Sequence, residues 1–160
     1  YAADDATLFV PAPVNAKEWL KNRADPAHSV TWQPHQIWSS CDGSLAISQG
    51  AAQWPVGTDG EFLTVWRRQR DGSYLWQANI AQELDRPLEA PDFVSTEVAN
   101  CAEPVPADQR TVSSERPAVM GQSDDGSLQY AIHTMQGGST VTLLLWDGEF
   151  EVTGPKVFKD

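Results

Sequence analysis

The sequence predicts an α+β domain: an antiparallel β-meander from Val30 to Ile80, a short helix on either side of it, and a three-stranded C-terminal extension. Three observations carry this reading. Four runs rich in apolar and β-branched residues follow one another between Val30 and Ile80. Asp42-Gly43 and Asp71-Gly72 separate pairs of those runs. Asp-Gly is a strong hairpin signal because both residues tolerate positive φ. Outside the meander, Trp19 with Leu20, and Phe93 with Val94 and Val98, suggest helix faces.

Thr7 to Val10 is a short β-like run stopped by Pro11 and Pro13. Asn15 is the expected N-cap of a helix over 16–22, with Glu18 three residues on as its capping-box partner. Asp25-Pro26 ends that helix. The first meander strand, 30–39, contains Pro34, so it should be an edge strand or carry a bulge. Its return strand, 45–54, contains Gly50 beside Ala51 and Ala52, which predicts a bend or bulge halfway along. The third strand, 61–70, carries Phe62, Thr64 and Trp66 on one face and Leu63 and Val65 on the other. A strand apolar on both faces is covered on both. The expected covers are helices on one side and, on the other, a partner subunit or the C-terminal segment. In the fourth strand, 73–80, strict alternation puts Leu75, Gln77 and Asn79 on one face and Tyr74, Trp76, Ala78 and Ile80 on the other.

Asp92 to Asn100 reads as a helix, and 103–116 as a linker holding Pro104 and Pro106. From Gln122 the β pattern restarts, with strands over 128–135, 140–146 and 149–158. The expected organisation is therefore a main domain over 1–101, a linker over 102–118 and a β-rich extension over 119–160 packed on the main domain. Asp-Gly-Ser steps recur at Asp42, Asp71 and Asp125 and read as reused turn chemistry rather than a repeat.

Eleven Lys and Arg stand against 22 Asp and Glu, a net charge of −11. That field repels phosphate backbones, which argues against nucleic acid as a partner. No apolar run approaches the ~20 residues of a membrane span. Cys41 and Cys101 sit in no metal-ligand spacing, and with three His no metal site and no cofactor is expected. They read as a disulfide, the alternative being two separate buried thiols. A disulfide implies an oxidising compartment, periplasmic or secreted, with a signal peptide already removed.

The segments Ser40-Cys41-Asp42-Gly43-Ser44-Leu45-Ala46, Phe62-Leu63-Thr64-Val65-Trp66-Arg67-Arg68-Gln69 and Asp71-Gly72-Ser73-Tyr74-Leu75-Trp76 together resemble the nuclear-transport-factor-2-like superfamily. The nearest likeness is to its uncharacterised ketosteroid-isomerase-like and polyketide-cyclase-like bacterial members. The resemblance spans about residues 7–81. It implies a strongly curved sheet wrapped around helices as a cone, with a pocket at the wide end, upstream helices before Thr7, and homodimers through the outer sheet face. Enzymes of the superfamily place acids or a His in the cone. At the corresponding end of the last hairpin strand this chain has Asn79 and Ile80, and an amide cannot take a proton as a carboxylate does.

The expected ligand-binding residues are Trp19, Trp38, Gln49, Trp66, Gln77 and Asn79: aromatic walls for a small, flat, apolar molecule with polar handles. Core packing is the competing role for the Trp residues. The candidates for acid/base work are His35, Glu61 and Glu83. Three functions follow in order: non-catalytic binding of a small molecule or a protein in the envelope; an isomerase, dehydratase or cyclase; and an assembly module using the C-terminal strands.

Overall fold

A computed structural model describes residues 1–21, 23–25, 27–110 and 116–159. Among these residues eleven strands form two sheets, accompanied by one short α-helix and one 3-10 turn, Ala107–Gln109. The strands are β1 (Ala2–Phe9), β2 (Pro13–Asn15), β3 (Thr31–Ser39), β4 (Leu45–Gln53), β5 (Asp59–Arg68), β6 (Tyr74–Glu83), β7 (Ser95–Val98), β8 (Val119–Gln122), β9 (Leu128–Met135), β10 (Gly138–Trp146) and β11 (Phe150–Lys159). The helix α1 is Ala16–Lys21. The first sheet runs β2-β1-β6-β5-β4-β3-β7, and the second runs β11-β10-β9-β8.

This corrects the expected fold class. The chain is mostly β, and its two open sheets do not form a cone-shaped α+β barrel packed on helices. The predicted meander is present as β3 to β6, with consecutive antiparallel pairs. It is covered on its inner face by another sheet, not by helices. Leu45, Ile47, Leu63, Val65, Ala78 and Ile80 of the first sheet meet Leu128, Tyr130, Ile132, Val141, Leu143 and Phe158 of the second in one buried cluster. The C-terminal segment is thus the cover for one face of β5, as one of the two sequence alternatives had it.

Helix α1 forms where expected, and the Glu18 N–H donates to the Asn15 side-chain oxygen at 3.0 Å, the N-cap bond. The second helix does not form. Residues 95–98 extend as β7, parallel to β3 from Gln36 to Ser39. Phe93 and Val94 are exposed, so the apolar spacing that suggested a helix face buries nothing. The β-branched Thr96 and Val98 suit the strand. Part of the expected linker, 111–115, lies outside the described residues.

Cys41 and Cys101 are bonded, with Cα atoms 5.3 Å apart. The bond fixes the segment after β7 to the turn between β3 and β4. On that segment Ala99 and Val105 are buried in the shared core.

The Asp-Gly-Ser steps at Asp42 and Asp125 form two matching turns, one in each sheet. Residues 40–45 and 123–128 are identical at five of six positions. They form the same turn twice, in meanders of the same order, β3 to β6 and β8 to β11. Ser40 Oγ donates to Asp42 Oδ1 at 2.7 Å and Ser123 Oγ to Asp125 Oδ1 at 2.6 Å. The Ser44 and Ser127 N–H groups donate to the same oxygens at 2.9 and 3.0 Å. The turns then interlock across the sheets: Asp42 N–H donates to Asp125 Oδ2, and Asp125 N–H to Asp42 Oδ2, both at 3.0 Å. Cys41 N–H donates to Ser127 Oγ at 2.9 Å and Asp124 N–H to Ser44 Oγ at 2.8 Å. The turn chemistry is thus reused at Asp42 and Asp125, as expected, and these two copies also pair with each other across the sheets.

Candidate aromatic cleft

A cleft of about 1690 Å³ opens on the outer face of the first sheet and reaches the second sheet at Ser139, Phe158 and Lys159. Its centre comes from alternate residues of the middle strands: Ser48 on β4, Phe62, Thr64 and Trp66 on β5, Trp76 and Asn79 on β6. Trp32 and Pro34 of β3, Trp54 after β4, and Trp19 and Leu20 of α1 wall it. The Trp32 and Phe62 rings meet edge to face, 4.9 Å between centroids. The Trp54 ring lies over Gly60, where a Cβ would come within 2.1 Å of it. Only glycine admits that ring so close to the backbone. The Arg23 guanidinium stacks on Trp19, 3.6 Å from the ring centroid.

Two hydrogen bonds order the centre. Trp66 Nε1–H donates to Ser48 Oγ at 2.9 Å, and Asn79 Nδ2–H donates to Thr64 Oγ1 at 2.8 Å. The Ser48 and Thr64 hydroxyl hydrogens and the Asn79 carbonyl remain for a ligand. None of the six central residues titrates near neutrality. The ionisable residues Tyr1, Arg23, Asp25, Glu83, Asp85 and Lys159 line the cleft around that centre, Arg23 and Asp25 from the segment after α1 and Glu83 and Asp85 from the end of β6 and just beyond it.

The structure divides the expected ligand-binding residues. Trp19, Trp66 and Asn79 line the cleft. Trp38 faces the second sheet, is 4% exposed, and its Nε1–H donates to Thr153 Oγ1 at 3.0 Å. With Gln49 it lines a second, smaller pocket of about 580 Å³. Gln77 lines neither. The reason is a bulge: the β5–β6 register passes from Val65↔Ala78 to Trp66↔Trp76. One extra residue re-aims its neighbours, so Trp76 joins Asn79 on the cleft side against the strict alternation. Trp32, Phe62 and Thr64 were readable as strand residues but not as cleft residues, because whether a strand face lines a cleft or a packed core depends on what covers the sheet; Phe62 and Thr64 are 3% and 4% exposed and Trp32 47%.

The acid/base candidates are not brought together. Glu83 is exposed at the cleft's border. Glu61 is 3% exposed on the inner face of β5, paired with Lys156 and hydrogen-bonded by the Gln82 amide. His35 lines the smaller pocket.

Besides Asp4, lowered by the hydrogen bond and charge of Lys17, three groups have shifted titration. Burial pushes the Tyr130 hydroxyl up to about 12. Burial opposes ionisation of Asp42, but hydrogen bonds from the Ser44 N–H, the serine hydroxyls and the Asp125 N–H outweigh it and hold the carboxyl below its usual range. The bonds from Ser73 lower Asp71 likewise. All three serve the turns and core rather than the cleft.

Among the described residues no group of His, Cys, Asp and Glu is placed to hold a metal ion, and no helix is long and apolar enough to cross a membrane. No family profile matches the chain, and no curated protein or solved structure matches it either.

Proposed function

We propose that this protein is a binding protein whose aromatic cleft takes an elongated or multi-ring apolar molecule without transforming it. The observation that carries the reading is the cleft's composition: Trp and Phe rings around a hydrogen-bonded centre that lacks an acid or a base. Ligand sites combine apolar walls with a few placed polar groups, and the Ser48, Thr64 and Asn79 groups supply those. The volume supports a large ligand, since about 1690 Å³ exceeds the roughly 300–1,000 Å³ of most small-molecule sites. The Cys41–Cys101 bond is compatible with an oxidising compartment, which supports a location in the cell envelope or outside the cell.

Nile red, a neutral multi-ring dye that brightens in apolar surroundings, tests the reading. Saturable emission enhancement with quenching of tryptophan fluorescence is expected. Trp66→Ala should weaken it about tenfold, through loss of a ring and of the ordering bond to Ser48, about 1.4 kcal/mol. His35→Leu, on the other side of the sheet, should leave it unchanged. Emission that rises linearly without saturation, or equal binding by Trp66→Ala, rejects the proposal.

A further inference from the structure

The polar groups of the large cleft fall in one line. Ser48 pairs with Thr64, and Thr64 with Asn79, across β4, β5 and β6. All three line the cleft, so they stand side by side on its floor. Two residues along β5 in either direction, the line gives way to rings. Phe62 lies on one side, edge to face with Trp32. Trp66 lies on the other, and the slipped register that pairs it with Trp76 sets a second ring beside it. At a strand's rise per residue, each ring station starts about 7 Å from the polar line. The cleft is therefore apolar at two stations and polar between them.

Each donor and acceptor of that line can be followed. Trp66 Nε1–H is spent on Ser48 Oγ, and one Asn79 Nδ2–H on Thr64 Oγ1. The donors left over are the two hydroxyl hydrogens and the second Asn79 N–H. The acceptors left over are the Asn79 carbonyl oxygen and one lone pair on each hydroxyl oxygen. The line thus keeps capacity of both signs, and no group in it carries a charge. Ser48 and Thr64 are 8% and 4% exposed, so a ligand that fills the cleft removes what water reaches them. A ligand without a matching polar group would leave them unpaired, which opposes its binding.

We propose that the ligand class of this cleft is a neutral secondary amide joining two ring systems, an inference that rests on the reading of the cleft as a ligand site. The amide lies on the Ser48–Thr64–Asn79 line, and its rings lie against Phe62 and Trp66. The amide carbonyl accepts from the hydroxyls, and the amide N–H donates to Asn79 Oδ1. An ester answers only the donors of the line, and a hydrocarbon link answers nothing. A terminal hydroxyl both donates and accepts, but it joins nothing, whereas the polar line has rings on both sides. A carboxylate or an ammonium would bring a charge to a line that holds no countercharge.

Benzanilide, phenyl benzoate and trans-stilbene each carry two phenyl rings and differ in the link: amide, ester and hydrocarbon. Equilibrium dialysis against the intact chain gives the affinity of each. Benzanilide should bind about tenfold tighter than trans-stilbene, with phenyl benzoate between them. That is the reverse of their order of apolarity. Thr64→Val removes a hydroxyl at nearly constant shape, and Asn79→Leu removes the acceptor for the amide N–H. In each variant the preference for benzanilide over trans-stilbene should shrink to about twofold or less, with Nile red still bound. Tighter or equal binding of trans-stilbene by the unaltered chain overturns the proposal while Nile red binding upholds the cleft as a site. An undiminished preference in both variants also overturns it, and leaves the polar line a structural role. If neither Nile red nor any of the three probes binds, the reading of the cleft itself falls, and the amide with it.

Discussion

The two faces of the seven-stranded sheet are built from neighbouring residues of the same strands and end in opposite states. On β5, Leu63 and Val65 are fully buried against the second sheet, while Phe62 and Thr64, themselves buried, and the half-buried Trp66 line the cleft. The inner face has aliphatic and β-branched residues interdigitating with those of β9 and β10. The outer face has large rings, polar groups between them, and one six-residue helix beside them. The difference separates two uses of apolar surface. Aliphatic side chains that fill space give stability. Rings held apart by one another leave room that a ligand can fill.

The sharpest way to break the comparison is one truncation on the inner face. Leu63→Ala deletes a side chain with no exposure, in contact with residues of both sheets. It should cost about 3 kcal/mol, from lost burial plus the cavity left behind. Urea unfolding reads this as a lower midpoint at unchanged slope. Nile red affinity should stay within about twofold, since the relevant free energy belongs to the other face. A cleft that fails together with the core would show the two faces to be one cooperative unit.

The next effect concerns how the sheets are held in register rather than how they pack. Each turn carboxylate uses both oxygens: Asp42 Oδ1 for Ser40 and Ser44, Oδ2 for Asp125 N–H, with the mirror set on Asp125. Asparagine has one acceptor oxygen where two are needed. Asp42→Asn or Asp125→Asn should each cost roughly 1–2 kcal/mol. The double variant should cost less than their sum, because each removes the other's partner. The pH dependence has a definite sign. The Asp42 carboxyl is lowered in the folded chain, so its stabilisation is complete above the unfolded value of about 4. It is lost as pH falls through the folded value. Asp42→Asn should therefore flatten the acid limb of the stability curve below about pH 4.

Much of this architecture was legible in the residues. Every strand of the meander, the Asn15 cap and the Pro34 bulge follow from local chemistry (turn residues, a capping oxygen, a missing N–H), and the Cys41–Cys101 pair from there being two cysteines with no metal-ligand spacing. What was not legible depends on long-range partners. Residues 92–100 have helix-like apolar spacing, yet the open edge of β3 takes 95–98 as a strand, since a row of free backbone groups outweighs a weak helix propensity. The bulge at Gln77 moves Trp76 to the cleft side and leaves Gln77 out of it, and no alternation rule anticipates a slipped register. Asn79, expected as a polar handle of a ligand site, does reach the cleft. Trp38, chosen for the same aromatic character as Trp66, went to the inner face because it lies on the opposite side of its strand.

The smallest stability effect is expected at the outer rim, and there the comparison is sharpened rather than broken. Trp32 is 47% exposed and touches Phe62 edge to face. Such a contact is worth about 0.5–1.5 kcal/mol beyond area, and half the ring gains nothing from burial in the absence of ligand. Trp32→Ala should therefore lower stability by about 1 kcal/mol or less, against about 3 for the much smaller Leu63. Its effect on Nile red should run the other way, a several-fold loss of affinity where Leu63→Ala has none. Measured together, the two variants give a crossed pattern: the smaller side chain controls folding and the larger one controls binding. A Trp32→Ala variant as unstable as Leu63→Ala, with affinity intact, would mean that the outer rings are core and that the cleft is not a site.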